Sequence, residues 1–63
     1  MNSLAERRKR LKLRQEDVAA ALNVTRIAVH NWETGKAYPS TSKLIKLADV
    51  LKCDVTDILR ERG

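Results

Sequence analysis

Apolar positions recur along this chain at helical spacing, in short stretches separated by polar punctuation. Leu4, Arg8 and Leu11 fall at i, i+4 and i+7, which predicts a first helix over 4–12 burying two leucines with an arginine between them. Ser3, followed three residues later by Glu6, has the capping-box pattern that opens such a helix. A second helix starts at Gln15, with Glu16 and Asp17 where carboxylates suit the positive end of the helix dipole, and Val18, Ala19 and Leu22 as its buried side. Asn23, tolerant of left-handed backbone, stops it, and Thr25 is an N-cap for the next element. The third helix is predicted over 26–34 with Gly35 as its left-handed stop. Beyond the Tyr38-Pro39 loop, Ser40 caps a fourth helix, whose Leu44, Ile45, Leu47, Ala48 and Leu51 form a broad apolar face ending near Lys52. Asp54 and Asp57 open a fifth, with Val55, Ile58 and Leu59 directed inward.

A buried arginine in the first helix is costly unless it is paired and hydrogen-bonded, so Arg8 predicts a carboxylate elsewhere in the fold. At 63 residues there is room for one small domain, expected to span 1–63 without a linker, since a chain this short buries only about 60% of its unfolded surface. Two Gly, one Pro and two aromatics, Trp32 and Tyr38, agree with an all-α class, a compact five-helix domain. Cys53 is the lone cysteine, which excludes an internal disulfide; it is read as a core filler in a reduced, cytoplasmic protein. No apolar run reaches the roughly 18 residues of a membrane span and the N-terminus has no signal-peptide pattern, so no membrane partner is expected.

Thirteen Lys and Arg against eight Asp and Glu leave a formal charge of +5, a dense positive field for so small a body. A polyanion is the obvious partner, although charge alone does not decide, because many helical proteins are modestly basic without a function attached. The third helix narrows the choice. On a wheel of about 100° per residue, Ala28, Val29 and Trp32 share one side and Arg26, Ile27, His30 and Asn31 the other. Arg26 suits guanine or phosphate, Asn31 suits adenine, His30 can donate to an acceptor, and Ile27 can pack on a thymine methyl. The bland alternative is a solvated face carrying one stray isoleucine.

The segments Gln15-Glu16-Asp17-Val18-Ala19, Leu22-Asn23-Val24-Thr25 and Val29-His30-Asn31-Trp32-Glu33-Thr34-Gly35-Lys36, continued by Pro39-Ser40, Leu44, Leu47-Ala48 and Leu51, resemble the Cro/CI-type helix-turn-helix family of phage repressors and bacterial regulators. The resemblance covers nearly the whole chain, with the helix-turn-helix at about 15–34. It implies a lambda-repressor-like DNA-binding fold, with the third helix in the major groove of a double-stranded DNA operator and the second across the backbone. Carried over residue by residue, it makes Arg26, Ile27, His30 and Asn31 base readers and puts Gln15, Thr25, Lys36, Ser40 and Lys43 at phosphates. Arg10 and Arg14 are further candidates for the DNA backbone. The family pattern also pairs Arg8 with Glu33 in a structural salt bridge, and it implies homodimers on two half-sites, held weakly through the fifth helix or only on DNA. Arg14 stands where a Ser, Thr or Asn cap is usual, and Asn23 and Lys52 where Gly is common.

An enzyme is disfavoured: one His, one Cys and no Gly-rich phosphate loop make neither a catalytic nor a metal constellation, and no cofactor is expected. A protein-interaction module such as an antitoxin-type subunit is the second reading, because fold alone does not fix function. RNA is a weaker third, since no stacking aromatic decorates the third helix's polar face.

Overall fold

A computed structural model describes residues 2–60 and gives five α-helices, with no strand among the described residues. They are α1 (Asn2–Arg10), α2 (Gln15–Leu22), α3 (Arg26–Thr34), α4 (Thr41–Val50) and α5 (Val55–Arg60). α3 packs on α1 and α2, α2 also on α4, and α4 on α5. Every helix contributes to one core: Leu4 from α1, Val18, Ala19 and Leu22 from α2, Val29 and Trp32 from α3, Leu47 and Ala48 from α4 with Leu51 at its end, and Ile58 from α5. Cys53 packs half-buried against that cluster.

Local chemistry explains the starts of these helices. Thr25 Oγ1 accepts from Ala28 N at 3.2 Å at the head of α3, and Ser40 Oγ accepts from Lys43 N at 3.4 Å at the head of α4. Asp57 closes the reciprocal half of a capping box by accepting from Asp54 N at 3.1 Å. Arg14, at the N-cap of α2, has no side-chain acceptor, yet its N–H donates to Asp17 Oδ2 at 2.8 Å. That bond and the Arg14 side chain hold the Asp17 carboxyl below its usual range.

The ends share one device. Lys12, Asn23, Gly35 and Lys52 all adopt positive φ, at 60°, 57°, 84° and 60°. The next amide reaches back five residues each time, Leu13 N to Arg8 O at 3.1 Å, Val24 N to Ala19 O at 2.9 Å, Lys36 N to Asn31 O at 2.9 Å and Cys53 N to Ala48 O at 3.0 Å, as in a Schellman stop. Left-handed backbone costs an L-residue about 1–2 kcal/mol, of which a glycine's extra unfolded-state entropy returns about half. Lys12→Gly and Lys52→Gly are therefore each expected to stabilise the chain, by about 0.5–1 kcal/mol in urea unfolding. A loss of stability in either variant would mean that the lysine side chain does more than tolerate the turn.

Four expectations about the first, fourth and fifth helices are corrected. α1 starts at Asn2 and ends at Arg10, so Ser3 lies inside it rather than capping it, and the Ser3 side chain lies outside the described residues. Because Lys12 turns the chain, Leu11 leaves the stripe of Leu4 and Arg8 and is 39% exposed, while Leu13 packs against the core. Ile45 is 57% exposed: the buried face of α4 is the narrower 44, 47, 48, 51 series, and Ile45 sits about 100° round the helix from Leu44. In α5, Ile58 is the residue that turns into the core and Leu59 is exposed.

Candidate functional site

α2 and α3 are joined through Asn23, Val24 and Thr25 alone, and this tight turn sets α3 across α2 with one face buried and the other presented outward. Val29 and Trp32 are buried and Ala28 half-buried. On the opposite side Arg26 and His30 are exposed, Ile27 is 63% exposed and Asn31 is half-buried. Four helix-terminal bonds converge on the Asn31 carbonyl, from Thr34 Oγ1, Gly35 N, Lys36 N and Ala37 N. The end of the outward face is thereby pinned in place.

Behind this face runs a chain of polar contacts. Arg26 Nη1 donates to Gln15 Oε1 at 3.3 Å, and Gln15 Nε2 donates to Glu33 Oε1 at 3.0 Å and stands 3.5 Å from His30 Nδ1. Glu33 in turn accepts from Arg8 Nε at 2.6 Å and Nη2 at 3.2 Å, and Arg8 Nη1 donates to Leu13 O at 2.9 Å. The Arg8 and Glu33 side chains are only 11% and 9% exposed, at the core edge beside Trp32, Leu4 and Val18. Burial works against the Glu33 carboxylate, but the hydrogen bonds from Arg8 and Gln15 and the charges of Arg8 and Lys9 outweigh it, and its pKa lies below the usual glutamate range. The carboxylate that Arg8 demands is thus Glu33, 25 residues away in sequence.

Thr25 and Ser40 are exposed at the heads of α3 and α4, where backbone N–H groups gather. A helix N-terminus with a hydroxyl is suited to an anion. Lys36 is exposed just past Gly35, and Arg10 is exposed at the end of α1. Arg14 is exposed too, and its Nε lies 3.4 Å from Asp17 Oδ2, so the arginine read as reaching a phosphate also has an intrahelical partner. Lys43, expected at a phosphate, also has a partner within the fold. Its side chain is half-buried and its ammonium donates to Leu22 O at 2.8 Å, where it satisfies a carbonyl at the end of α2 and draws on the favourable dipole there. Its first role is to join α4 to α2. The hub position of Gln15 has no signal in the sequence, because its partners lie 11 to 18 residues away.

Among the described residues no group of three or more His, Cys, Asp or Glu side chains could hold a metal, and no helix is long and apolar enough to cross a membrane.

Two short helices crossed at a tight turn, the second with a buried apolar face and an outward polar one, define a helix-turn-helix domain. The family model described as Helix-turn-helix matches residues 4–58. Over 53 residues the chain is 42% identical to the HTH-type transcriptional regulator DicA of Escherichia coli (strain K12), a match that covers 84% of this chain and 39% of that protein. It is 32% identical over 54 residues to Repressor protein C2 of Salmonella phage P22, covering 86% of this chain and 25% of that one. The chain belongs to the Cro/CI-type helix-turn-helix family. It spans well under half the length of these two relatives.

Proposed function

We propose that this chain binds double-stranded DNA sequence-specifically and regulates transcription, as a repressor, with α3 in the major groove. The observation that carries the reading is the outward face of α3: Arg26, Ile27, His30 and Asn31, side chains chemically able to read base edges, share one side of a helix whose other face is locked into the core. The matched relatives, one named a transcriptional regulator and one a repressor, support it. An aliphatic side chain as exposed as Ile27 is wasted in water and useful against a thymine methyl. Thr25, Ser40 and Lys36, with Arg10 and Arg14, supply donors for phosphates around the groove; Gln15, whose amide N–H groups are turned to Glu33 and His30, meets a phosphate through its main-chain N–H at the head of α2, and Lys43 retains two N–H groups for that use after its bond to Leu22. Residues 1–63 act as one DNA-binding unit, and two copies meet on the two half-sites of an operator, the reading that the family's dimeric habit favours. The chain works without catalysis or cofactor, in the cytoplasm.

Arg26→Ala and Asn31→Ala are expected to relax specificity at separate base pairs, each costing about 1–3 kcal/mol on the best site and much less on random duplex. Gel-shift or fluorescence titrations against single-base operator variants measure this. Uniform weakening on every duplex would instead put the residue among the phosphate contacts. Replacing thymine by uracil throughout the operator tests Ile27: affinity should fall in the wild type and not in Ile27→Ala, and an unchanged wild-type affinity would refute methyl readout.

A further inference from the structure

Gln15 touches three side chains of α3 at once, and the charges beside it decide how its amide is turned. Nε2 donates to the Glu33 carboxylate at 3.0 Å and Oε1 accepts from the Arg26 guanidinium at 3.3 Å. Turned over, the amide would set Oε1 against a carboxylate and NH2 against a guanidinium, losing both charge-assisted bonds. Glu33 is itself held by two hydrogen bonds from Arg8, so the anchor does not swing away. With one amide hydrogen on Glu33, the other faces His30 Nδ1 at 3.5 Å. A neutral imidazole carries one donor and one acceptor nitrogen. A nitrogen that faces an N–H is the acceptor, because a second hydrogen there would oppose the first. The donor is then Nε2, on the far side of an exposed ring.

We infer that Gln15, fixed by Glu33, is a positioning residue for base readout: it holds His30 in the Nε2–H tautomer and so presents His30 to the groove as a hydrogen-bond donor. His30 therefore takes an acceptor edge, a purine N7, guanine O6 or thymine O4, and rejects the exocyclic amino groups of cytosine and adenine. This readout rests on the proposal that α3 enters the major groove, whereas the tautomer is a property of the chain without DNA. The two can therefore fail separately.

Two-bond 1H–15N correlation spectra of the DNA-free chain in alkaline buffer report the tautomer. The Nε2–H form should dominate in the wild type. Gln15→Met, which keeps the length and removes the amide, should lower the Nε2–H to Nδ1–H ratio by roughly 2- to 10-fold, the effect of one neutral hydrogen bond. Gln15→Glu, which offers Nδ1 an acceptor, should shift it further the same way. The same ratio in all three chains overturns the inference, and the two variants keep the test alive if one fails to fold. On DNA, Gln15→Met should relax preference at the base pair that His30→Ala identifies, although His30 is intact. Equal weakening on all duplexes would make Gln15 a plain backbone contact and overturn the readout role. A wild-type chain that binds no duplex overturns the α3 reading itself and leaves the tautomer result standing.

Discussion

Truncating either half of the Arg8–Glu33 pair is expected to cost about 3–5 kcal/mol, the largest effect of any polar substitution in this chain. Arg8→Ala leaves a carboxylate at the core edge with only Gln15 to satisfy it, and Leu13 O without its donor. Glu33→Ala leaves a guanidinium beside Trp32 and Leu4 and releases Gln15. Replacing both by packed apolar residues of similar volume should hurt far less, because no charge is then left uncompensated. Arg8→Lys should not rescue, since one ammonium cannot span two carboxylate oxygens and the Leu13 carbonyl in the same geometry. A domain this small has only about 3–5 kcal/mol to lose, so the double-mutant cycle is best run in urea with sucrose present in every sample. A coupling energy near zero would mean that the pair contributes nothing beyond its separate solvation. The same link has a pH signature. The folded Glu33 pKa lies below its unfolded value, so its stabilisation is fully present above the unfolded value of about 4.5 and is lost as pH falls through the folded pKa, because the unfolded chain takes up the proton first. Acid unfolding below that point should be blunted in the doubly apolar variant.

Leu22→Ala should be as damaging, at about 2–5 kcal/mol, because the side chain is almost fully buried where α2 meets α3 and α4. The residue anchors twice, since its carbonyl also receives the Lys43 ammonium. Ile45→Ala serves as the contrast. Ile45 is as apolar but more than half exposed, and its removal should stay within about 0.5 kcal/mol. Thermal or urea unfolding of the two variants decides between this narrow α4 face and the broader one read from periodicity. Comparable losses at both positions would mean that Ile45 is covered in solution.

The middle of the chain was legible because its signals are local. Thr25 caps α3 through a bond three residues away, Asn23 and Gly35 are residue types that admit positive φ, and both helices keep the limits read from the sequence. The end of α1 was not legible, because Lys12 occupies the left-handed position with no compositional hint, and the helix, ending two residues early at Arg10, leaves Leu11 outside the core. Ile45 and Leu59 were misread for a related reason. Apolar identity within a helix sets the average face, while the width of that face depends on how closely neighbouring helices approach. In the site, the demand for a partner to Arg8 was readable from its place in a leucine stripe. The Gln15 hub and the Lys43 to Leu22 bond were not, since each depends on groups brought together only by tertiary packing.

If α3 reads DNA sequence, selection of bound duplexes from a random pool will show it. A defined motif should emerge, with Arg26→Ala and Asn31→Ala each erasing preference at a different position. Binding of the selected site should weaken with added salt at a log–log slope of about −3 for each bound copy, if Arg10, Arg14 and Lys36 each neutralise one phosphate. A pool that stays random after repeated rounds, with affinity insensitive to salt, would rule out base readout by α3 and favour a protein partner for this face.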